Sequence, residues 1–261
     1  MTSFTLATRD DRVSKRTAKM IQDELVKQGL VFTISNPDLV ICVGGDGTLL
    51  HAIHQWRSQL EQVSFVGIHT GTLGFYTDYQ VDEVAQLIED IHSKVPEMEE
   101  KRLLEAHCKG ITTTNPIYAL NEIRVESIIR TQTIDVTINQ DYFERFQGNG
   151  LCISGQDGST AYNRSANGAI LWKGLELLQM IELNGIHHYR ARSIKSPLIL
   201  PGTAEITLRS QDAYLDAFLC YDHLSIALDG FNEVKIKLSD KTVRFAHYHQ
   251  MDYKKRLESL Y

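Results

Sequence analysis

The sequence lacks the features of a membrane or exported protein. No apolar run in its 261 residues approaches the ~20 residues that span a bilayer, and the N-terminus does not resemble a signal peptide. Cysteine is scarce: Cys42, Cys108, Cys152 and Cys220 lie far apart and none belongs to a Cys-x-x-Cys pair, which favours reduced core residues. We therefore expect a cytoplasmic protein.

The chain also lacks an excess of positive charge. Its 27 Lys and Arg against 33 Asp and Glu give a formal net charge of -6. This balance argues against nucleic acid or an anionic membrane surface as the main partner. The length leaves room for one or two domains with a sizeable core.

Strand and helix patterns alternate over roughly the first 95 residues. Short apolar strands are predicted near 4–8, 30–34, 39–43 and 63–68, with helical stripes at 12–28 and 81–91. Such an alternation is typical of a parallel sheet covered by helices. We predict an α/β domain with a parallel sheet over residues 1–100.

After Pro96 the pattern changes to many short β-rich runs separated by turn residues. This pattern predicts a larger, antiparallel β-rich domain of the sandwich type over residues 101–239. One helix, Leu175–Leu183, is predicted to interrupt the strands. The tail, 240–261, is charged with spaced apolar residues; we expect it to pack back on the first domain, with fraying as the alternative.

The most informative stretch is the turn Gly44-Gly45-Asp46-Gly47-Thr48. A five-residue apolar run precedes it and helical spacing follows it, so the unit is predicted to be strand, glycine turn, helix. The start of such a helix attracts phosphate. Asp46 would repel a bare phosphate, so it either accepts a hydrogen bond from a sugar hydroxyl or lies near a divalent cation. The alternative is a tight turn with Asp46 as the helix N-cap.

Two common nucleotide motifs are missing from this turn. No Gly-Lys-Ser/Thr follows it, so it is not a Walker A loop, and it does not have the Gly-x-Gly-x-x-Gly spacing of dinucleotide-binding folds. We therefore predict the function of this turn from the carboxylate of Asp46 and not from a common nucleotide motif.

Two further patches have the chemistry of a ligand site. Glycines, hydroxyl residues and an aromatic are concentrated in 147–162, which suits a flat ring against Tyr162; the alternative is a Gly/Ser-rich turn with a core tyrosine. The pair Asn121-Glu122 could bind adenine and ribose hydroxyls, or be a turn residue followed by a solvated acid.

These motifs together resemble the NAD kinases. Gly44-Gly45-Asp46-Gly47-Thr48 resembles the phosphate-acceptor motif that NAD kinases share with diacylglycerol and sphingosine kinases and, more distantly, phosphofructokinases. Gly158-Ser159-Thr160-Ala161-Tyr162 and Asn121-Glu122 resemble NAD kinases specifically. So do the segments 70–75, 196–201 and 221–223. The matches cover about residues 38–225, whereas lipid kinases share the first motif alone.

The resemblance implies an ATP-dependent kinase that phosphorylates the 2′-hydroxyl of the adenosine ribose of NAD to give NADP, with a divalent metal ion such as Mg²⁺. Asp46 would be the catalytic residue that orients this hydroxyl. The implied nucleotide-binding residues are Gly45, Gly47, Thr48, Gly74, Phe75, Asn121, Glu122, Gln147, Asn149, Asp157, Thr160, Ala161, Tyr162, Ser165, Asn184 and His223.

The family also implies a homodimer or homotetramer in which a neighbouring subunit completes part of each site. The segment 184–192 occupies the position that crosses over in relatives. Its Tyr189, Arg190 and Arg192 are predicted either to meet phosphates or to be basic surface residues.

The chain departs from the family pattern at several positions. Asn149 replaces a usually acidic residue between two glycines, and Gln147 replaces an arginine of many members. The usual Ser-Thr-Pro-x-Gly becomes 154–158, Ser-Gly-Gln-Asp-Gly, which exchanges a rigid proline for a flexible glycine. Weaker or altered dinucleotide binding is predicted.

Two rival interpretations stay open. The departures favour a non-catalytic dinucleotide sensor, and the shared first motif allows a diacylglycerol-type lipid kinase. The intact Asp46 and Thr48 argue against the sensor. The lipid kinase would need a greasy acceptor pocket, and nothing after residue 100 suggests one. No metal ligands are predicted among the ten histidines, because the close pairs lack a third ligand.

Overall fold

A computed structural model describes residues 2–71, 74–110, 115–187, 193–249 and 252–260. The chain forms two compact units, one of Met1–Lys101 with Thr242–Tyr261 and the other of Arg102–Lys241. Two long strands, Glu97–Gly110 and Phe231–His247, each continue from one unit into the other. No helix in the described ranges has both the length and the apolar character needed to cross a bilayer.

The first part of the chain alternates strands and helices. Its elements are β1 (Ser3–Thr8), α1 (Arg12–Lys27), β2 (Val31–Phe32), β3 (Leu39–Gly44), α2 (Asp46–Gln55), β4 (Ser64–His69), β5 (Tyr79–Gln80), α3 (Val84–Ser93) and β6 (Glu97–Gly110).

The rest is mostly strand. Its elements are β7 (Ile117–Ala119), β8 (Glu122–Glu126), β9 (Gln132–Ile138), β10 (Asp141–Gly148), β11 (Gly150–Ser154), α4 (Tyr162–Ser165), β12 (Leu177–Leu183), β13 (Leu198–Pro201), β14 (Glu205–Ser210), β15 (Phe218–Tyr221), β16 (Leu224–Ala227), β17 (Phe231–His247) and α5 (Tyr253–Glu258).

The first unit contains a parallel sheet in the order β2-β1-β3-β4. The start of β4 pairs with Arg244 and Phe245 of β17, and its end pairs with β5, again in parallel. Every residue of β3 and β4 is buried, which explains their continuous apolar runs. The prediction of an N-terminal α/β layer with a parallel sheet is confirmed.

The second unit contains two antiparallel sheets. One has the order β13-β12-β11-β8-β15-β16, and the other contains β10-β9-β14 and the first part of β17. Apolar side chains from both sheets form one core, including Ile134 and Ile206 from one sheet and Ile123 and Ile153 from the other. Two sheets that share a core form a sandwich, as predicted.

The predicted helix at Leu175–Leu183 is wrong. Residues Leu177–Leu183 form β12, which pairs with β11 on one side and β13 on the other. A short apolar run fits a buried strand and a helix equally well, so pairing with neighbouring strands decides its structure.

Candidate functional site

The glycine turn of the first unit connects β3 to α2, as the sequence predicts. Gly45 is the N-cap of α2 and Asp46 is its first residue, so the alternative of Asp46 as the N-cap is wrong. Its carboxylate instead accepts two backbone hydrogen bonds, from Phe75 N to Oδ2 at 2.7 Å and from Tyr76 N to Oδ1 at 3.0 Å. Two donors on different oxygens fix the orientation of the whole carboxylate group.

Gly74 allows this arrangement. A Cβ atom at position 74 would overlap both oxygens and Cγ of the Asp46 carboxylate. Only a residue without a side chain lets the backbone approach so closely. Gly74 and Phe75, both predicted from the resemblance, therefore contact the Asp46 side chain directly.

An open cleft of about 600 Å³ lies beside the turn within the first unit. The predicted residues Gly45, Gly47 and Thr48 line it. The ends of β1 and α2 supply further lining, notably Arg9 and His51. Gly45 and Gly47 have open space where a Cβ would stand, so a ligand can approach their backbone.

Arg9 is a cation of this cleft that sequence reasoning missed. Its Nε donates to Asp11 Oδ2 at 2.6 Å. Hydrogen bonds from the side chain and backbone of Ser14, followed by the one from Arg9, hold the pKa of Asp11 well below its usual range. The available signal was position, because Arg9 follows the carboxyl end of a parallel strand, where α/β sheets bind ligands.

In the second unit, Asn121 and Glu122 lie at one end of β8. Asp222 fixes this corner, since its carboxylate accepts hydrogen bonds from Leu120 N at 2.9 Å and Asn121 N at 2.8 Å. Glu122 is only 5% exposed, so the alternative of a solvated acid is wrong. Among the described residues, Glu122 Oε2 has no hydrogen-bond partner.

The environment of Glu122 changes its acidity. Burial, together with the nearby negative charge of Asp222, raises the pKa of Glu122 to about 7, while the positive charge of Arg124 opposes the shift. A buried carboxylate with an unpartnered oxygen can accept a hydrogen bond from a ligand hydroxyl.

Arg124 is the second cation that sequence reasoning missed. Its guanidinium carbon lies 3.8 Å from the centroid of the Tyr162 ring, and its Nη1 donates to both oxygens of Glu126 at 2.9 and 3.0 Å. Tyr162 is 37% exposed, so the alternative of a core tyrosine is wrong. The arginine covers one face of the ring and stabilises it by a cation–π contact. The signal was the alternation Glu122, Arg124, Glu126 on one face of a strand.

The loop before Tyr162 packs closely against Asn121. Residues Asp157–Thr160 form a 3₁₀ turn, and a Cβ on Gly158 would overlap the carbonyl group of Asn121. Asn163 anchors the turn by accepting from Ser154 Oγ at 2.9 Å and donating to Ser159 O at 3.1 Å. The structure therefore brings the motif of 157–162 beside Asn121-Glu122.

The remaining predicted residues of this corner lie close by in the fold. Thr160 and Ala161 directly precede Tyr162, and Ser165 ends the short helix α4. His223 is exposed in the hairpin turn between β15 and β16, next to Asp222.

Gln147, Asn149 and Asn184 form a separate group. Asn149 Nδ2 donates to Ser127 O at 2.8 Å and its backbone N donates to Leu183 O at 3.0 Å. In the β8–β11 ladder, Gly150 is opposite Glu126, whereas Ser154 is opposite Glu122. The two groups thus lie at opposite ends of one strand, about 14 Å apart at the usual rise per residue.

Gln156 lies in the loop 154–158, where this chain lacks the proline of the family pattern. Its side chain contacts the backbone of another segment. Its Oε1 accepts from Gly174 N at 2.7 Å and Leu175 N at 3.1 Å. The side chain ties the loop to the segment before β12. The predicted phosphate contacts Tyr189, Arg190 and Arg192 lie outside the described residues.

The described ranges contain no group of three or more His, Cys, Asp or Glu side chains placed to hold a metal ion.

Comparison with known proteins finds relatives of this chain among the NAD kinases. Residues 2–95 match the family model for the ATP-NAD kinase N-terminal domain. The chain is 37% identical over 256 residues to the NAD kinase of Geobacillus stearothermophilus, covering 97% of this chain and 94% of the relative. It is also 37% identical over 257 residues to NAD kinase 1 of Halalkalibacterium halodurans, covering 98% and 97%.

Two solved structures share the fold. The yeast NADH kinase complexed with NADH superposes with a TM-score of 0.82 at 18% identity, covering 99% of this chain and 86% of that one. The NAD kinase from Archaeoglobus fulgidus in complex with ATP gives a TM-score of 0.76 at 20% identity, covering 99% and 97%. With identities above one-third over nearly the whole length of curated relatives, this chain belongs to the NAD kinase family of phosphotransferase enzymes.

Proposed function

We propose that this enzyme transfers the γ-phosphate of ATP to the 2′-hydroxyl of the adenosine ribose of NAD, producing NADP and ADP. The observation that supports this most is the Asp46 carboxylate, which two backbone amides fix at a turn whose glycines line a cleft. A fixed anion at a phosphate-binding turn can orient an acceptor hydroxyl.

Asp46 acts chiefly as a positioner. Phosphoryl transfer passes through a loose transition state in which alignment and charge neutralisation matter more than early deprotonation. A carboxylate offers about four acceptor positions and the two amides occupy two of them, so the acceptor hydroxyl can still donate to Asp46. The proton moves to the carboxylate late in the transfer.

The dinucleotide binds through the corner of the second unit. Tyr162 offers its ring face to a flat base. The Asn121 side chain can both donate to and accept from the base, and the buried Glu122 carboxylate accepts from a ribose hydroxyl. The supporting residues in the same corner are Asp157, Thr160, Ala161, Ser165 and His223.

The donor phosphates lie in the cleft of the first unit. Gly45, Gly47 and Thr48 supply backbone and hydroxyl groups there, and Arg9 supplies the charge. An arginine held by a carboxylate on one edge retains N–H donors on the other for a phosphate.

A magnesium ion fits this proposal without a protein cage. Mg²⁺ is usually bound through one or two carboxylates together with substrate phosphates, and Asp46 is the available carboxylate at the turn. Bound with ATP, the ion would neutralise the charge that develops on the transferred phosphoryl group.

We also propose a cytoplasmic homodimer or homotetramer in which Gln147, Asn149 and Asn184 complete the site of a neighbouring subunit. The distance of this group from Asn121 and Glu122 along β11 supports that arrangement. Within one chain, residues at opposite ends of one strand cannot both contact the same small ring.

The test is incubation of purified protein with NAD, ATP and Mg²⁺, with NADPH followed through a coupled NADP-dependent dehydrogenase. The proposal predicts steady NADPH formation that requires all three additions. NAD binding without NADPH would identify a sensor, and phosphorylation of diacylglycerol would identify a lipid kinase. NADH supplied in place of NAD tests which acceptor the enzyme uses, and polyphosphate supplied in place of ATP tests which phosphoryl donor it uses.

A further inference from the structure

Arg256 is a buried arginine that lies far in sequence from the motifs of the site. It lies on α5, is only 6% exposed, and makes four hydrogen bonds to described residues of the first unit. Its Nη1 donates to the carbonyl oxygens of Gly74 at 3.2 Å, Phe75 at 2.6 Å and Thr77 at 2.9 Å, and its Nη2 donates to Asp78. A buried guanidinium normally needs several such partners.

The carbonyls that Arg256 binds belong to the peptide groups that hold Asp46. The peptide between Gly74 and Phe75 accepts from Arg256 at its oxygen and donates to Asp46 Oδ2 at its nitrogen. The next peptide, between Phe75 and Tyr76, connects Arg256 to Asp46 Oδ1 in the same way. Two peptide planes therefore join one guanidinium to both oxygens of one carboxylate.

Chains of hydrogen bonds of this kind strengthen one another. A cation at a carbonyl oxygen polarises the peptide group and makes its N–H a stronger donor. The same contacts fix the rotation of both peptide planes, so the N–H groups point at the carboxylate before substrate binds.

The arginine is itself held in place. His247 donates from Nδ1 to Asp78 Oδ2 at 2.6 Å and contacts Glu99 Oε2 through Nε2 at 2.9 Å. Asp78, at 2% exposed, thus lies between two cationic side chains. The network fixes Arg256 independently of any ligand.

We propose that Arg256 is a positioning residue for Asp46 and acts through the two peptide groups of 74–76. The inference rests on the proposed role of Asp46 in phosphoryl transfer. Arg256 contacts neither substrate in this arrangement. Its loss lowers turnover because the carboxylate is less well aligned, whereas NAD binding in the second unit is little changed.

A double-mutant cycle tests this directly. Arg256→Lys keeps a cation but loses the fork in which Nη1 contacts the carbonyls while Nη2 contacts Asp78. Lys255→Met, exposed on the same helix, is the matched control. We expect Arg256→Lys alone to lower kcat about tenfold or more, with a KM for NAD within about twofold of that of the unchanged enzyme. In protein that already carries Asp46→Asn, we expect the same change to lower kcat by less than about twofold. Residual turnover of the variants that carry Asp46→Asn is measured with labelled ATP.

A purely structural role gives a different result. Equal fold-losses from Arg256→Lys with and without Asp46→Asn, or no loss when Asp46 is unchanged, would overturn the proposal. The proposed function fails separately, if the unchanged enzyme makes no NADP or if Asp46→Asn leaves turnover intact.

A second measurement requires no change at Arg256. Because coupling between two sites is reciprocal, Asp46→Asn should shift the guanidinium NMR resonances of Arg256 in protein labelled with ¹⁵N-arginine. The resonances of the exposed Arg16 and Arg57 serve as controls. Unchanged Arg256 resonances in folded Asp46→Asn protein would contradict the coupling of Arg256 to Asp46 through the two peptide groups, whatever the activity assays show.

Discussion

Asp46 in the first unit and Glu122 in the second are both carboxylates that the sequence predicts to contact a ligand, and each lies in a different local environment. Both oxygens of Asp46 accept backbone N–H groups, which leaves the group fixed in orientation. Glu122 is buried beside Asp222 and has an unpartnered oxygen among the described residues, and its pKa is raised to about 7. Under the proposed function, Asp46 is the rigid positioner of the reacting hydroxyl and Glu122 is a titratable acceptor for the dinucleotide.

Apart from Asp46 itself, the largest effect is expected from Gly74→Ala. The added methyl overlaps the Asp46 carboxylate and must displace it. We expect kcat to fall about 100-fold, since small displacements of a reacting geometry are costly. Gly71→Ala is the matched control. Apart from its chain neighbours, the described residue nearest to its added Cβ is Arg9, whose Nη1 would lie 3.9 Å away. Similar kcat values for the two variants would mean that the orientation of Asp46 is not critical.

Arg124→Met tests the dinucleotide side of the comparison. The change removes the cation that covers the Tyr162 ring and one of the partners of Glu126. We expect the KM for NAD to rise about tenfold, or about 1.4 kcal/mol of binding, with a smaller change in kcat. Arg209→Met, which removes the exposed pair with Glu233, is the control. A fall in kcat at constant KM would show that Arg124 serves the transfer step instead.

The pH dependence of NAD binding sharpens the role assigned to Glu122. Its ionised form is the acceptor, and because its pKa is about 7 it becomes protonated as the pH falls below that value. We expect the KM for NAD to rise about fivefold between about pH 7.5 and pH 6, and to lose this dependence in Glu122→Gln. A dependence that persists in the variant would assign it to another group.

Of these changes, replacing His247 is expected to alter turnover least, because this residue contributes to the free energy of unfolding. Burial alone would lower its pKa, but hydrogen bonds and charges from Asp78 and Glu99 outweigh burial and raise the pKa to about 9. A raised folded-state pKa stabilises the protein below about pH 6.5, and this stabilisation is lost as the pH rises through 9.

Urea unfolding of His247→Gln measures that contribution. The free energy of unfolding of the unchanged protein should exceed that of the variant by up to about 3 kcal/mol near pH 6, and the gap should close by about pH 9.5. His92→Gln, exposed at the end of α3, is the control and should show no such gap. A gap that is constant with pH would mean that the ring packs without being protonated.

The sequence predicted the features that depend on contiguous residues. The buried strand before Gly44, the glycine turn and the motif ending at Tyr162 each have a local pattern. The wrong prediction at Leu175–Leu183 shows the limit of such patterns, because its apolar residues become a strand through pairing with β11 and β13. Pairing partners distant in sequence leave no local signal.

The residues that sequence reasoning missed are single side chains at a distance. Arg9 reaches the glycine turn from the end of β1, and Arg124 covers Tyr162 from a neighbouring strand. Arg256 is 182 positions from Gly74, whose carbonyl it binds. Sequence position marks Arg9 and strand alternation marks Arg124 as candidates, but their contacts depend on the fold. Arg256 has no such local signal.

Asp46→Asn tests the central claim most directly, because it keeps the size of the side chain and removes the charge. With purified protein and saturating NAD, ATP and Mg²⁺, we expect kcat to fall by more than about tenfold while the KM for NAD stays within about threefold. Asp82→Asn, exposed before α3, should leave both constants unchanged. An Asp46→Asn enzyme with more than about one-tenth of the original turnover would contradict the role of this carboxylate as positioner.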